Sequence, residues 1–310
     1  MRRSSLCHVA LASLVLASCG VDRQQATAPA AETGAAAPVS LEAAFTCLRE
    51  RRLAVVSAHR GQPDPDAAEN ALSSFRESLA AGVPILEIDI ATTRDGALVL
   101  MHDDTLDRTT TGSGLVSEKS YNELKSLNIR RDDGRLTDER VPTLAAALAW
   151  GRTAGAYFQL DVKKSTRFAD VVAAVHKARM RDRVIVITYN QADAITVHRL
   201  DPALLVSVAI DSPADVNALA AQGFNPDRLL AWTGNRDERP SLWQALNGRG
   251  VEPLFGTLGR AGERLDDRYV ADGDLSEYRT LARAGVTMIA SDRAAAAAMA
   301  LGNDHQRCMR

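Results

Sequence analysis

Between residues 53 and 301 the chain alternates short β-rich runs with helical patterns eight times, and this alternation constrains the fold more than any other feature. Strands are expected at Leu53–Ala58, Ile85–Ile90, Tyr157–Val162, Val184–Thr188, Leu204–Ile210, Leu229–Thr233, Glu252–Thr257 and Val286–Ser291. Helical spacing of apolar residues predicts helices at Asn70–Ala81, Leu144–Thr153, Phe168–Met180, Ala192–Leu200, Ala214–Ala221, Leu242–Gly248, Leu275–Ala284 and Ala294–Leu301. Strand and helix in turn is the order of parallel strands joined by crossover helices. Eight such units in about 250 residues fit an α/β fold of the TIM (β/α)8 barrel type.

One interruption breaks the rhythm. After the turn Arg94-Asp95-Gly96, Ala97–Met101 reads as a further strand, and a polar stretch rich in Gly, Thr and Asp runs on to Val141. This predicts a small insertion after the second strand, at about 103–141. Active sites of such barrels lie at the carboxyl ends of the strands, so an insertion there would stand beside the chemistry; a long surface loop is the plainer alternative.

The first forty residues have a different composition. Met1-Arg2-Arg3 precedes an apolar run from Leu6 to Ala17, too short for a permanent transmembrane helix but suited to a secretory signal. The run ends in Leu16-Ala17-Ser18-Cys19-Gly20, which resembles a bacterial lipobox. The expectation is a signal peptide over 1–18, a lipidated Cys19, a flexible tether to residue 40 and a folded domain over 41–310. The protein would then be exported and held at a membrane by its lipid alone, facing the periplasm or the cell exterior. An ordinary cleavable signal with an incidental cysteine is the competing reading. Removing Cys7 with the signal and lipidating Cys19 leaves Cys47 and Cys308. An exported pair can be oxidised, and chain ends often lie close together in compact domains; bridge and free thiols both stay open.

A net charge of −2, sparse aromatic residues and the lack of any Lys/Arg block argue against nucleic acid as a partner. No protein partner is indicated. The chemistry concentrates in the segment 57–114. His59 and Arg60 end the first expected strand, Glu87 and Asp89 lie on the second, and His102 with Asp103 ends the next run. Glu87 and Asp89 are two apart, so on a strand both carboxylates share one face. Such a pair at a buried strand end calls for a cation, and oxygen ligands favour Mg²⁺ or Ca²⁺. Two histidines beside it could take and give a proton near neutral pH. Arg60 could clamp a phosphate oxygen or pair with Glu87 or Asp89. Base, acid, cation holder and phosphate clamp together fit metal-assisted phosphodiester chemistry. His176 and His198 fall within expected helices and are set aside.

These residues resemble the glycerophosphodiester phosphodiesterase family. The pattern is His59-Arg60-Gly61, Glu69-Asn70, Glu87-Ile88-Asp89, Asp95-Gly96, His102-Asp103 and Leu106-Asp107-Arg108-Thr109-Thr110, continuing through Pro142-Thr143-Leu144, Leu160-Asp161-Val162-Lys163 and Ile289-Ala290-Ser291-Asp292. The resemblance implies one divalent cation, Ca²⁺ or Mg²⁺, on Glu87, Asp89 and Asp161, and hydrolysis of a small glycerophosphodiester to glycerol 3-phosphate and an alcohol. It implies His59 and His102 as the acid–base pair, with His59 favoured as base. Arg60 and Lys163 match positive groups around the phosphate, Glu69 an acidic position near the site, and Trp232 a site-lining aromatic, for which barrel packing is an equal alternative.

Two departures stand out. Asp161 occupies a position where the family commonly has Glu, so the third metal contact is expected to be longer or water-mediated. Ala71 follows Glu69-Asn70 where a Thr is usual, which would weaken a local helix cap. A phospholipase-like enzyme acting on intact lipid is the nearest rival, but the polar insertion, as in Arg130-Arg131-Asp132-Asp133, favours a water-soluble diester. A lipoprotein that binds phosphorylated ligands without turnover is the rival from another class.

Overall fold

A computed structural model describes residues 39–309. Cys19, the signal segment and most of the expected tether lie outside the described residues. The strands are β1 (Val55–Ala58), β2 (Ile85–Thr92), β3 (Leu98–Leu100), β4 (Asn128–Arg130), β5 (Leu136–Arg140), β6 (Tyr157–Val162), β7 (Val184–Ile187), β8 (Leu205–Ala209), β9 (Leu229–Trp232), β10 (Glu252–Gly256) and β11 (Met288–Ser291). Eight of them pair in parallel in the order β1, β11, β10, β9, β8, β7, β6, β2, and β2 returns to β1 through Ser57 opposite Ile85 and Ala58 opposite Leu86. The sheet is therefore a closed barrel. Each of the eight expected barrel strands is present, with limits within two residues of those expected.

Residues alternate between two cores because successive side chains on a strand face opposite ways. Val56, Leu86, Phe158, Val186, Val206, Ala231, Phe255 and Ile289 pack outward against the helices. Val55, Ile85, Tyr157, Ile185, Leu205, Leu230, Leu254 and Met288 form an apolar layer inside the amino-terminal end of the barrel. Two residues further along β1, β2 and β6, the same inward face becomes Ser57, Glu87 and Gln159, with Asp89 and Asp161 two residues beyond that on β2 and β6. Ser57 Oγ donates to Gln159 Oε1 at 2.9 Å, so this buried polar layer is internally satisfied. The barrel thus has an apolar floor and a charged mouth.

The floor is closed by a helix that the strand–helix alternation does not announce. Leu41–Arg51 buries Leu41, Ala44, Phe45 and Leu48 on one stripe against the inner layer. Each buried Leu or Phe side chain there contributes about 1.5–3 kcal/mol. Ser40 caps its first turn by accepting from the Ala43 N–H at 3.3 Å. The carboxyl-terminal end comes to the same place: Cys47 and Cys308 are disulfide-bonded with Cα atoms 5.5 Å apart. Tyr157 Oη donates to the Val39 carbonyl at 2.8 Å, joining the start of the described chain to the floor.

The interruption after β2 is more ordered than a loop. β3 runs antiparallel to β2 outside the barrel, pairing Ile90 with Leu100. Beyond it β4 and β5 form a separate antiparallel pair, and Ala91, Val99, Met101, Leu106, Val116, Leu124 and Val141 make a small core of their own. No helix among the described residues is long and apolar enough to cross a membrane.

Candidate active site

The register of the sheet places the acidic residues. Asp89 on β2 lies directly opposite Asp161 on β6, and Glu87 precedes Asp89 by one full pleat on the same face. Ligand oxygens of Glu87, Asp89 and Asp161 all lie within 4.8 Å of one another, and all three residues are buried. Burial first, then the charges of Asp89 and Asp161, push the Glu87 carboxyl up to about 8. Asp89 is instead held below its ordinary value: burial opposes its charge, but the Lys163 ammonium and hydrogen bonds from Lys163 and Asn70 outweigh it.

Lys163 does not stand free. Its Nζ lies 2.6 Å from Asp89 Oδ1 and 2.7 Å from Asp161 Oδ2, bridging two of the three carboxylates. With all three acids ionised Lys163 offsets one charge and a divalent cation matches the remainder, displacing the proton that burial otherwise holds on Glu87, and the all-oxygen donor set suits Mg²⁺ or Ca²⁺. The residues present therefore fit such an ion.

His59 and Arg60 lie in a tight turn, His59–Gly61, directly after β1. The turn needs left-handed backbone at Arg60 (φ 53°) and Gly61 (φ 69°), and a Cβ at Gly61 would lie 2.1 Å from the Phe75 ring, so only glycine fits there. The reward of the turn is that the Arg60 N–H donates to Glu87 Oε2 at 2.7 Å. The Arg60 side chain turns to neither Glu87 nor Asp89; its Nη1 donates to Glu69 Oε2 at 2.7 Å. Glu69 also takes two bonds from Arg108 of the insertion, at 2.7 and 2.9 Å. Asn70 brackets Asp89, accepting from its N–H at 3.0 Å and donating to its Oδ2 at 2.7 Å.

Each histidine is tied to an aspartate. His59 Nδ1 is 2.7 Å from Asp292 Oδ1 at the end of β11, and His102 Nδ1 is 2.7 Å from Asp103 Oδ1. Each pairing leaves Nε2 for proton transfer. Burial works against a charge on His59, but the Asp292 hydrogen bond and the charges of Glu87 and Asp292 outweigh it and raise its pKa. His102 is brought to the site by β3, where the Met101 N–H donates to the Asp89 carbonyl at 3.0 Å. Asp103 in turn accepts from Arg108 at 2.8 and 3.0 Å. Arg108 thus connects the His102–Asp103 pair to Glu69 and Arg60.

A cavity of about 310 Å³ opens beside these groups, lined by His59, Glu87, Asp161, Tyr189, Trp232 and Leu258 among others. Trp232 lines the cavity and packs against the inner core. Gly256 makes room for its ring, since a Cβ there would lie 2.5 Å from Trp232 Cη2. Tyr189, which no sequence motif singles out, donates its hydroxyl to Asp161 Oδ1 and Oδ2 at 2.8 Å each. Although the residue as a whole is open to solvent, desolvation of its hydroxyl end beside the cavity and the Asp161 charge raise its pKa, so it remains a donor. A larger groove of about 740 Å³ on the outside of the barrel is lined by neither carboxylate nor histidine.

The threonine turn of the insertion serves its own fold: Thr110 Oγ1 donates to the Leu106 carbonyl at 2.7 Å and accepts from the Gly112 N–H at 3.0 Å. His176 pairs with Asp201 on the helical layer, and His198 bonds the Gly223 carbonyl.

Comparison with known proteins agrees with this geometry. A model of the Glycerophosphoryl diester phosphodiesterase family matches residues 59–295. The Uncharacterized protein YqiK of Bacillus subtilis (strain 168) is 31% identical over 182 residues, covering 55% of this chain and 74% of that protein. A Glycerophosphodiester phosphodiesterase of Caldanaerobacter subterraneus subsp. tengcongensis is 28% identical over 160 residues, covering 50% of this chain and 65% of that protein. The crystal structure of a Glycerophosphoryl diester phosphodiesterase from Parabacteroides distasonis ATCC 8503 superposes with a TM-score of 0.74 at 25% identity, covering 86% of this chain and 92% of that one. Matched from the turn after β1 to the helix after β11, the chain belongs to the glycerophosphoryl diester phosphodiesterase family, a family of phosphoric diester hydrolases.

Proposed function

We propose that the protein hydrolyses glycerophosphodiesters to glycerol 3-phosphate and an alcohol, using a divalent cation held by Glu87, Asp89 and Asp161 and proton transfer by His59 and His102. The observation that carries this reading is the register of β2 and β6, which sets three buried carboxylates side by side beneath a cavity that His59 also lines. A bound Mg²⁺ or Ca²⁺ would polarise the phosphate oxygens. His59, oriented by Asp292, removes the proton from the nucleophile, either water or the substrate's own 2-hydroxyl by way of a cyclic phosphate. His102, oriented by Asp103, protonates the leaving alkoxide. Arg60 retains donors beyond its bond to Glu69 for phosphate oxygens, and its buried Nε has no partner among the described residues. Lys163 contributes positive charge from between Asp89 and Asp161. Trp232 lines the cavity where the organic part of the substrate would lie.

The test is a coupled glycerol 3-phosphate assay over a panel of water-soluble diesters, with and without chelator. Turnover is expected to vanish on chelation and to return with Mg²⁺ or Ca²⁺; chelator-insensitive hydrolysis would overturn the cation assignment. Export and anchoring through a lipidated Cys19 belong to the same proposal, supported by the lipobox-like run that precedes it. Incorporation of labelled fatty acid, abolished by Cys19→Ser, checks it.

A further inference from the structure

Tyr189 is 67% exposed, whereas Asp161, which its hydroxyl reaches, is 6% exposed. A large aromatic that open to solvent has little packing to hold its side chain. Its backbone, by contrast, is anchored on both sides. The Thr188 N–H and Oγ1 both donate to the Ser207 carbonyl, at 2.8 and 2.9 Å. Asn190 caps the helix Gln191–Leu200 by accepting from the Asp193 N–H at 2.9 Å. Ile187 lies in register with Asp161, so Tyr189, two residues further on, follows the same face over the carboxylate.

The three acidic residues are held in different ways. Asp89 is gripped by buried Asn70 and half-buried Lys163, and Glu87 by the Arg60 N–H. Asp161 receives Lys163 on Oδ2 alone; the hydrogen bond to Oδ1 among the described residues is that of Tyr189, which also spans to Oδ2. A single contact on one oxygen leaves a carboxylate free to turn about its own axis, and a donor shared by both oxygens fixes its plane.

We infer that Tyr189 is a positioning residue for the cation site: its hydroxyl, reaching in from the rim of the cavity, sets the plane of the Asp161 carboxylate and so the affinity for the divalent ion. This rests on the proposed cation site. Partners of this kind that orient a metal ligand are worth about 10–100-fold in metal affinity.

The experiment is calorimetric titration of Mg²⁺ and Ca²⁺ into the metal-stripped full chain, as wild type, Tyr189→Phe, Asp161→Glu and the double variant. Phe keeps the ring and the cavity wall and removes only the hydroxyl. Tyr189→Phe is expected to weaken binding about tenfold with the unfolding temperature of the metal-free protein unchanged. In the Asp161→Glu background the longer side chain carries its carboxylate past the hydroxyl, so the same change should cost less than about twofold. Wild-type affinity in Tyr189→Phe, or an undiminished loss in the Glu background, overturns the inference and leaves the cation site standing. A wild-type protein that binds neither ion removes both.

Discussion

His59 is held as a protonatable group by two carboxylates, and the proposed role as base requires it neutral. Burial alone would lower its pKa, yet Asp292 and Glu87 raise it above 6.5. The acid limb of the rate profile should therefore lie above the ordinary histidine value. Asp292→Asn removes a charge that stabilises the imidazolium, so the limb should move to lower pH, by about one unit, while turnover falls through looser orientation of the ring; kcat/KM measured from pH 5 to 9 checks it. An unmoved limb would mean that another group is the base. Replacing either His59 or His102 with Ala should cost about 10²–10⁴ in kcat with little change in thermal stability. Both histidines and all three acids are legible in the sequence because strand periodicity and the family pattern name them. Asp292 and Arg108 lie within the same pattern, but their partners do not: His59 and Asp292 are 233 residues apart and meet only when β11 closes on β1.

The insertion and the helix that follows β1 depend on each other. Ala71 stands at the amino-terminal cap of the helix Leu72–Ala80 and supplies no side-chain hydrogen bond, as its methyl group dictates. The exposed amide is met from elsewhere: Glu139 on β5 accepts from the Ser73 N–H through both oxygens, at 3.0 and 3.2 Å. The weakened cap expected from Ala71 is thus replaced by a carboxylate 66 residues away, favourably placed at a helix amino terminus. Glu139→Ala should destabilise the protein by about 1 kcal/mol, read as a shift in the denaturant midpoint, and Ala71→Thr in that background should recover part of the loss. Strand and helix positions were legible to within two residues, because a parallel barrel repeats one hydrophobic pattern eight times. The order inside the insertion was not. Its strands are three and five residues long and mostly polar, so local periodicity cannot distinguish them from loop.

Across the whole molecule the two chain ends converge on the barrel floor. The Cys47–Cys308 disulfide joins residues 261 apart and fastens the short helix Gln306–Met309 to the helix Leu41–Arg51. Its loss should cost on the order of 2–4 kcal/mol, or roughly 4–7 °C in Tm for a domain of this size. Thermal unfolding of Cys47→Ser against oxidised wild type measures this, and an equal Tm would show that the bridge does not contribute. Activity of the reduced protein at 25 °C should persist, because floor and mouth lie at opposite ends of the barrel.

By itself the sequence determined the number and order of the barrel strands and the shared face of Glu87 and Asp89, which follow from residue type and a period of two or 3.6, and, through the family pattern, the candidate acids and histidines. Tertiary structure alone decided which groups touch: Lys163 between two carboxylates, Arg108 on Glu69, Tyr189 on Asp161, and the joining of Cys47 to Cys308. The reason is that hydrogen bonds and ion pairs of 2.6–3.0 Å depend on sheet register and closure, which local spacing does not encode.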